Sequence, residues 1–434
     1  MSKRVSIGAL ALIVGVLALA ASGCGGGGGG GKKSSGGAKT LPASSCSSLY
    51  YEGSGDPDYI VASDLPLQGA GRAQTEEMVK AIKYVIKQRD FKAGDYKIGY
   101  QSCDDSTAQT GAWDSAKCAS NARAYADDKS VIGVVGTFNS GCAKIIVPVL
   151  NRAPDGPMAQ VSPANTAIGL THGGPGADPG EPDKYYPTGK RNYARVVAAD
   201  DFQGAADALW AQSKGYKKIF VLNDKQTYGY GVAFSFRKAA QKLGLQVTGF
   251  QGWDKAASSY ESLANKINQT GSDAVFLGGI ICNNGAKLIK DLKANTKAQL
   301  LMPDGFSDPK SNGAAANGAF ISVAGQPPSK LTGAGADFIK NFKAQIGATP
   351  NPYSAYGAQA MDVMLTAIEK SDGTRADVTD KLLHTKVEDG ILGSFSIDKN
   401  GDTTLNPITV YVQQGMNLNP VKTITPPLSL VKSA

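Results

Sequence analysis

The chain reads as an α/β fold of parallel sheets covered on both faces by helices, and three observations predict it. From Pro57 onward, short apolar runs alternate with longer amphipathic ones, which is the rhythm of βα units. The apolar runs give way to loops rich in small polar residues, with few titrating groups among them. Of the 434 residues, 411 remain once residues 1–23 are set aside, too many for one small core and right for two lobes.

The amino terminus is a separate element. Lys3 and Arg4 precede an apolar run from Val5 to Ala21, the charge and length pattern of an export signal. The run ends Ala21-Ser22-Gly23-Cys24, which resembles the lipobox of bacterial lipoproteins, with Ala21 where Leu is usual. That resemblance implies removal of residues 1–23, lipidation of Cys24, and work outside the cytoplasm at a membrane surface. Gly25 to Gly37 is nearly all Gly, Ser and Lys and cannot bury a core. We therefore expect a lipid-anchored tether over 24–56.

The net charge of +8 becomes +6 once Lys3 and Arg4 are removed. The basic residues are scattered rather than clustered, which argues against a nucleic-acid groove. Besides Cys24 there are Cys46, Cys103, Cys118, Cys142 and Cys282. In an exported chain, one or two disulfides are expected among the first four. Cys103 and Cys142 would each follow a strand on one sheet edge and could meet; Cys118 is an equally open partner. No spacing suggests a metal site, and no cofactor is expected.

Strands are predicted at Tyr59–Ser63, Tyr96–Gln101, Val131–Gly136, Met158–Val161, Tyr193–Val197, Lys218–Asn223, Ala274–Leu277, Leu300–Met302 and Phe320–Val323. Helices are predicted near Ala73–Arg89, Trp113–Ala126, Ala143–Leu150, Gly204–Lys214, Gly231–Leu243, Ser259–Gln269 and Gly285–Ala294. His172 to Asn192 is Gly/Pro-rich and reads as a surface loop. Ile391–Ile397 and Pro407–Gln413 read as two strands around the turn Asp398-Lys399-Asn400-Gly401-Asp402. That turn mimics the start of a calcium loop but lacks its later acidic ligand, so a hairpin is expected. Asp104 and Asp105 are read as helix-capping residues.

Ligands of parallel sheets sit outside the carboxyl ends of the strands, so the loops there come first. Val131 to Asn151 is the most suggestive stretch. An apolar strand breaks at Gly136-Thr137-Phe138-Asn139-Ser140-Gly141 and a helix follows, so backbone N–H groups gather at a positive helix end.

In order, the loops read PLQGAG, GTFNSG, SPANT, NDKQTYGYG and MPDG. Together they resemble the type I periplasmic solute-binding proteins of the branched-chain amino-acid class, which feed ABC importers. The resemblance spans roughly 57–415. It implies two Rossmann-like lobes joined by three crossovers, with lobe 1 at 57–193 and 328–406 and lobe 2 at 194–327 and 407–420. It also implies that Ser140 and the N–H groups of the Phe138-Asn139-Ser140 loop bind a ligand carboxylate. Ala164, Asn165 and Thr166 would reach carboxylate and ammonium, Tyr228 would act as part of the lid, and Asp304 would pair with the ammonium. Phe138, Phe306 and Tyr353 could line a side-chain pocket. Two departures, Gln74 in the first loop and Ile280-Ile281-Cys282 after Gly278-Gly279, point away from a leucine-like side chain.

The expected function is capture of an amino acid or amide-like solute by hinge closure and delivery to an ABC permease, as a monomer. A ligand-sensing subunit for a membrane receptor is the alternative. An enzyme is disfavoured: the two histidines, His172 and His384, lie away from any Ser or Cys nucleophile in the cleft loops, and no GxGxxG or phosphate loop follows a strand.

Overall fold

The computed structural model describes residues 38–431. The expected leader, Cys24 and the Gly-rich run to residue 37 lie outside the described residues. The later part of the expected tether does not hang free: Leu41 is buried and its N–H donates to Gln101. Cys46 and Tyr50 bridge the strand Tyr96–Asp104, so the packed body begins well before Pro57.

Two sheets carry the body. The first is ordered Lys92–Ala93, Tyr96–Asp104, Tyr59–Leu65, Val131–Gly136, Ala159–Ser162, Tyr193–Arg195, and all but its first short strand run parallel. The second is ordered Gln246–Gly252, Lys218–Asn223, Ala274–Gly278, Gln299–Met302, Phe320–Ala324, Ile408–Gln414, Asn417–Ile424. Its first five strands are parallel and its last two antiparallel. Central strands such as Val131–Gly136 are buried throughout, as sheets covered on both faces require.

Seven helices follow the strands: α1 (Arg72–Gln88), α2 (Ser115–Asp127), α3 (Ser140–Asn151), α4 (Asp200–Ser213), α5 (Thr227–Lys242), α6 (Glu261–Gln269) and α7 (Gly285–Asn295). The chain crosses between sheets three times: after Arg195, after Ala324, and between Ser396 and Ile408. After the second crossing the helix Pro352–Glu369 returns to pack on α1. This is the two-lobed α/β architecture with three crossovers.

Three expectations need correcting. The turn at 398–402 closes as expected, with Ile397 and Thr403 in an antiparallel bridge, but the segments 391–397 and 407–413 do not pair with each other. Gly393–Ser396 pairs with Lys386–Gly390, whereas Ile408–Gln414 joins the second sheet between Phe320–Ala324 and Asn417–Ile424. The 398–402 turn therefore belongs to the third crossing. Cys103 does not meet Cys142: the disulfides are Cys46–Cys103 and Cys118–Cys142. The 38–56 segment lies along the Cys103 strand, while α2 packs on α3 and brings their first turns together. Finally, Asp114, not Asp104 or Asp105, caps α2, accepting from the N–H groups of Ala116 and Lys117. Asp104 instead accepts from the N–H groups of Leu67 and Ser106 and from Gln68 Nε2, holding the loop after the first strand.

The strand Gln246–Gly252 escaped the sequence pattern. It is a half-exposed edge strand with two glycines and no apolar run.

Candidate functional site

The loop after Val131–Gly136 turns sharply because Gly136 has a φ of 151°, and a Cβ there would stand 2.6 Å from the Asp64 carbonyl. Only glycine accepts that combination. The chain then enters α3, whose N-cap is Asn139, with Ser140 as its first helical residue. No side chain caps this helix, so its first N–H groups remain for a ligand. Ser140 is buried, and its Oγ accepts from the Ala167 N–H at 3.3 Å.

Beside this loop lies Ala164-Asn165-Thr166. Ser162 Oγ accepts from the N–H groups of Ala164 and Asn165. The Asn165 amide donates to the Phe138 carbonyl at 3.0 Å and to Thr137 Oγ1 at 3.2 Å. Asn165 therefore braces the two loops against each other, and its side chain is spent in doing so. The Thr166 hydroxyl is buried, with the Asp200 carboxyl as its neighbour.

A residue that the sequence reading missed secures this wall. Arg195, fully buried, donates from Nη1 to the carbonyls of Asn165 and Ala167, from Nη2 to Thr171, and from Nε to Asp402 at 2.6 Å. Burial opposes its charge, but the Asp402 carboxylate outweighs that and keeps it protonated. The only sequence signal was an arginine at a strand's carboxyl end, with its acid hidden in the 398–402 turn.

The second sheet supplies the opposite wall. Asp224, in the NDKQTYGYG loop, is buried and accepts from Asn283 Nδ2 at 2.7 Å and from the N–H groups of Gln226 and Ile280. Burial lifts its carboxyl to about 6, with those donors holding it down. It ties the loop preceding Tyr228 to the Gly278-Gly279 loop. Gly229 makes the approach possible, because a Cβ there would stand 2.1 Å from Asp224 Oδ1.

Tyr228 then donates to Asp304 Oδ1 at 2.5 Å. Tyr353, from the helix Pro352–Glu369 on the first sheet's side, donates to Asp304 Oδ2 at 2.5 Å. Asp304 is only 7% exposed. Burial raises its pKa, while the two phenols favour the carboxylate. Phe138 packs edge-on against Tyr353, ring centroids 5.7 Å apart. Phe138, Tyr353, Asp304 and Tyr228 thus form one connected set across the two sheet-built halves. Phe306 is fully buried in the core.

The halves are in contact. Gln74 Nε2 donates to Ser307 Oγ at 3.0 Å and to Asn351 Oδ1, and Ser311 Oγ donates to the Ala70 carbonyl at 2.8 Å. Between Phe138, Asn139, Gln74, Ile280 and Cys282 a cavity of about 20 Å³ remains, room for about one water. A groove of about 620 Å³ opens beside it, past Gln74, Ser307 and Asn351. An organic solute therefore reaches Asp304 only when the halves separate.

A family described as periplasmic binding protein matches residues 61–415. The Leu/Ile/Val-binding protein homolog 1 of Brucella abortus is 25% identical over 368 residues, covering 83% of this chain and 92% of that relative. The leucine-binding protein LivK of Thermotoga maritima has a similar fold, with a TM-score of 0.74 at 21% identity over 85% of this chain and 99% of its own. A solute-binding protein of R. palustris solved with benzoate matches at a TM-score of 0.70 and 17% identity, over 85% and 96% of the two chains.

Proposed function

This chain belongs to the periplasmic binding protein family, in its type I branched-chain amino-acid class, and from that premise we propose that it captures an amino acid between its lobes and delivers it to an ABC importer. Such proteins bind rather than transform their solute, so the chain is not an enzyme. Membership also places its work outside the cytoplasm. No described helix is long and apolar enough to cross a membrane.

The observation that carries the reading is Asp304, a buried carboxylate held by the phenols of Tyr228 and Tyr353, set across from the uncapped start of α3. A zwitterion needs an anion at one end and N–H donors at the other, both desolvated as the cleft closes. Ser140, the Phe138-Asn139 backbone, Ala164 and Thr166 would take the carboxylate. Asp304 would take the ammonium, and Tyr228 would position it. Asn165 serves by bracing the loops. The acidic floor favours an amino acid over a plain aromatic acid such as the benzoate held by the R. palustris protein, because a buried Asp304 would repel a ligand that has no cation.

In this reading, the expected lobes, 57–193 with 328–406 and 194–327 with 407–420, shift at their edges: the segment packed before Pro57 and the strand to Arg195 go with lobe 1, and the strand to Ile424 goes with lobe 2. Lipidation of Cys24 would keep the monomer beside its permease. The test is titration of the protein with a panel of amino acids, followed by Asp304→Asn. Loss of a charged contact in a dry site costs roughly tenfold to several hundredfold in affinity. Unchanged affinity in the variant, or binding of no amino acid at all, would refute the reading.

A further inference from the structure

The cavity of about 20 Å³ is lined by Asn139, at the start of α3, and by Gly305, next to Asp304. A solute whose carboxylate meets α3 and whose ammonium meets Asp304 has this space for its side chain. Apolar groups, from Phe138, Ile280 and Cys282, share the lining with three carboxamides, those of Gln68, Gln74 and Asn139. None of the described residues that line it carries a formal charge, because burial keeps the Cys282 thiol protonated.

Asn139 is only 9% exposed. An N-cap side chain ordinarily accepts from the first N–H groups of its helix, yet Asn139 does not. Its backbone carbonyl joins the helix by accepting from Cys142 and Ala143, while its side chain makes no hydrogen bond among the described residues. The two glutamines are engaged at one end only. Gln68 Nε2 donates to Asp104 Oδ2 at 2.7 Å and to the Ser106 carbonyl. Gln74 Nε2 donates to Ser307 Oγ and to Asn351 Oδ1, an atom that also accepts from the Tyr353 N–H. Those acceptors set the orientation of both amides, and no described donor reaches either Oε1. Buried polar groups are ordinarily satisfied. What stands open is therefore a donor-and-acceptor set: the whole Asn139 carboxamide and two glutamine carbonyls.

We propose that Asn139 is a specificity-determining residue whose side chain pairs with a carboxamide on the solute's side chain, so that the cleft selects glutamine or asparagine. The inference rests on the amino-acid reading given above and deepens it. A carboxamide carries two N–H donors and one carbonyl. Its carbonyl accepts from Asn139 Nδ2, its N–H groups donate to the glutamine Oε1 atoms, and its methylene stem packs on Phe138 and Ile280. An aliphatic side chain leaves Asn139 desolvated and unpaired, and a charged one enters a lining that holds no opposite charge.

Titration calorimetry of the wild-type protein with glutamine, asparagine, glutamate, lysine and leucine, repeated on Asn139→Leu, tests this. Leucine has the branching of asparagine without its polar atoms, and glutamate has the shape of glutamine with a charge added. We expect glutamine or asparagine to bind at least about tenfold more tightly than the other three. Asn139→Leu removes no helix cap. It should weaken the preferred amide at least about tenfold while leaving or improving the affinity for leucine. If Asn139→Leu does not fold, the wild-type ranking decides alone. Tighter binding of leucine, glutamate or lysine than of both amides, or an unchanged amide-to-leucine ratio in Asn139→Leu, overturns the inference and leaves the amino-acid reading intact. Binding of no amino acid defeats both.

Discussion

Ser140 separates two jobs that a single hydroxyl can hold. In the closed structure its Oγ accepts from the Ala167 N–H, and as the first residue of an uncapped helix it also stands where a carboxylate would bind. Ser140→Ala should therefore do two things. It leaves a buried N–H without its partner, which costs about 1–3 kcal/mol of stability, and it removes one neutral donor to the ligand, worth roughly threefold to tenfold in affinity. Thermal unfolding and titration on the same sample measure both. A variant with lowered stability but unchanged affinity would assign Ser140 to the loop alone. The residue types at this wall were legible from GTFNSG and SPANT, because short polar runs after apolar strands stand out in sequence. Asn165 was not legible as a brace, since its partners Thr137 and Phe138 lie far along the chain. Arg195 and Asp402 were hidden for the same reason: 207 residues separate them.

The crossings between sheets form an element with its own electrostatics. His172 Nδ1 lies 3.0 Å from Asp402 in the third crossing, and Nε2 lies 3.4 Å from Asp201 at the start of α4. Asp402 also binds Arg195, which begins the first crossing. Burial disfavours the imidazolium, but the two carboxylates outweigh it and raise His172 to about 9. Asp402 is held well below the usual carboxylate range: burial raises it, but Arg195 and His172 prevail. For His172 the folded value exceeds the unfolded one of about 6.5, so its stabilisation is complete below about pH 6.5 and is lost as pH rises through about 9. For Asp402 the sign is reversed, and its contribution is lost as pH falls below about 4. His172→Gln should thus lower Tm by roughly 2–4 °C at pH 6 and converge on wild type above pH 9. A difference that persists unchanged at pH 10 would show that packing, not charge, is responsible. Sequence reading found the strands and helices at this scale from periodicity. It failed where partners were non-local: Gly393–Ser396 and Ile408–Gln414 are neighbours in the chain but belong to different sheets.

At the scale of the whole molecule, ligand control requires that closure be nearly balanced without ligand. Away from the crossings, the hydrogen bonds that clasp the halves include Gln74 to Ser307, Ser311 to Ala70, and Tyr353 to Asp304. The two neutral ones contribute about 0.5–1.5 kcal/mol each and the charged one about 1.5–3 kcal/mol. Opening a cavity of only about 20 Å³ to admit a solute must break them. Cys282 can report that event. It is the one free thiol among the described residues, half-buried on the second wall, and a Cβ on Gly71 of the first half would lie 3.7 Å from its Sγ. Burial also pushes the thiol's pKa up, which lowers the thiolate fraction that reacts. Alkylation of Cys282 by N-ethylmaleimide should therefore proceed through the open form and slow at least about tenfold when saturating solute holds the halves shut. The Cys282→Ala variant supplies the background from any other thiol, Cys24 included. Equal rates with and without a solute that calorimetry shows to be bound would mean that binding does not close these halves on each other, and hinge closure would have to be abandoned as the mechanism of capture.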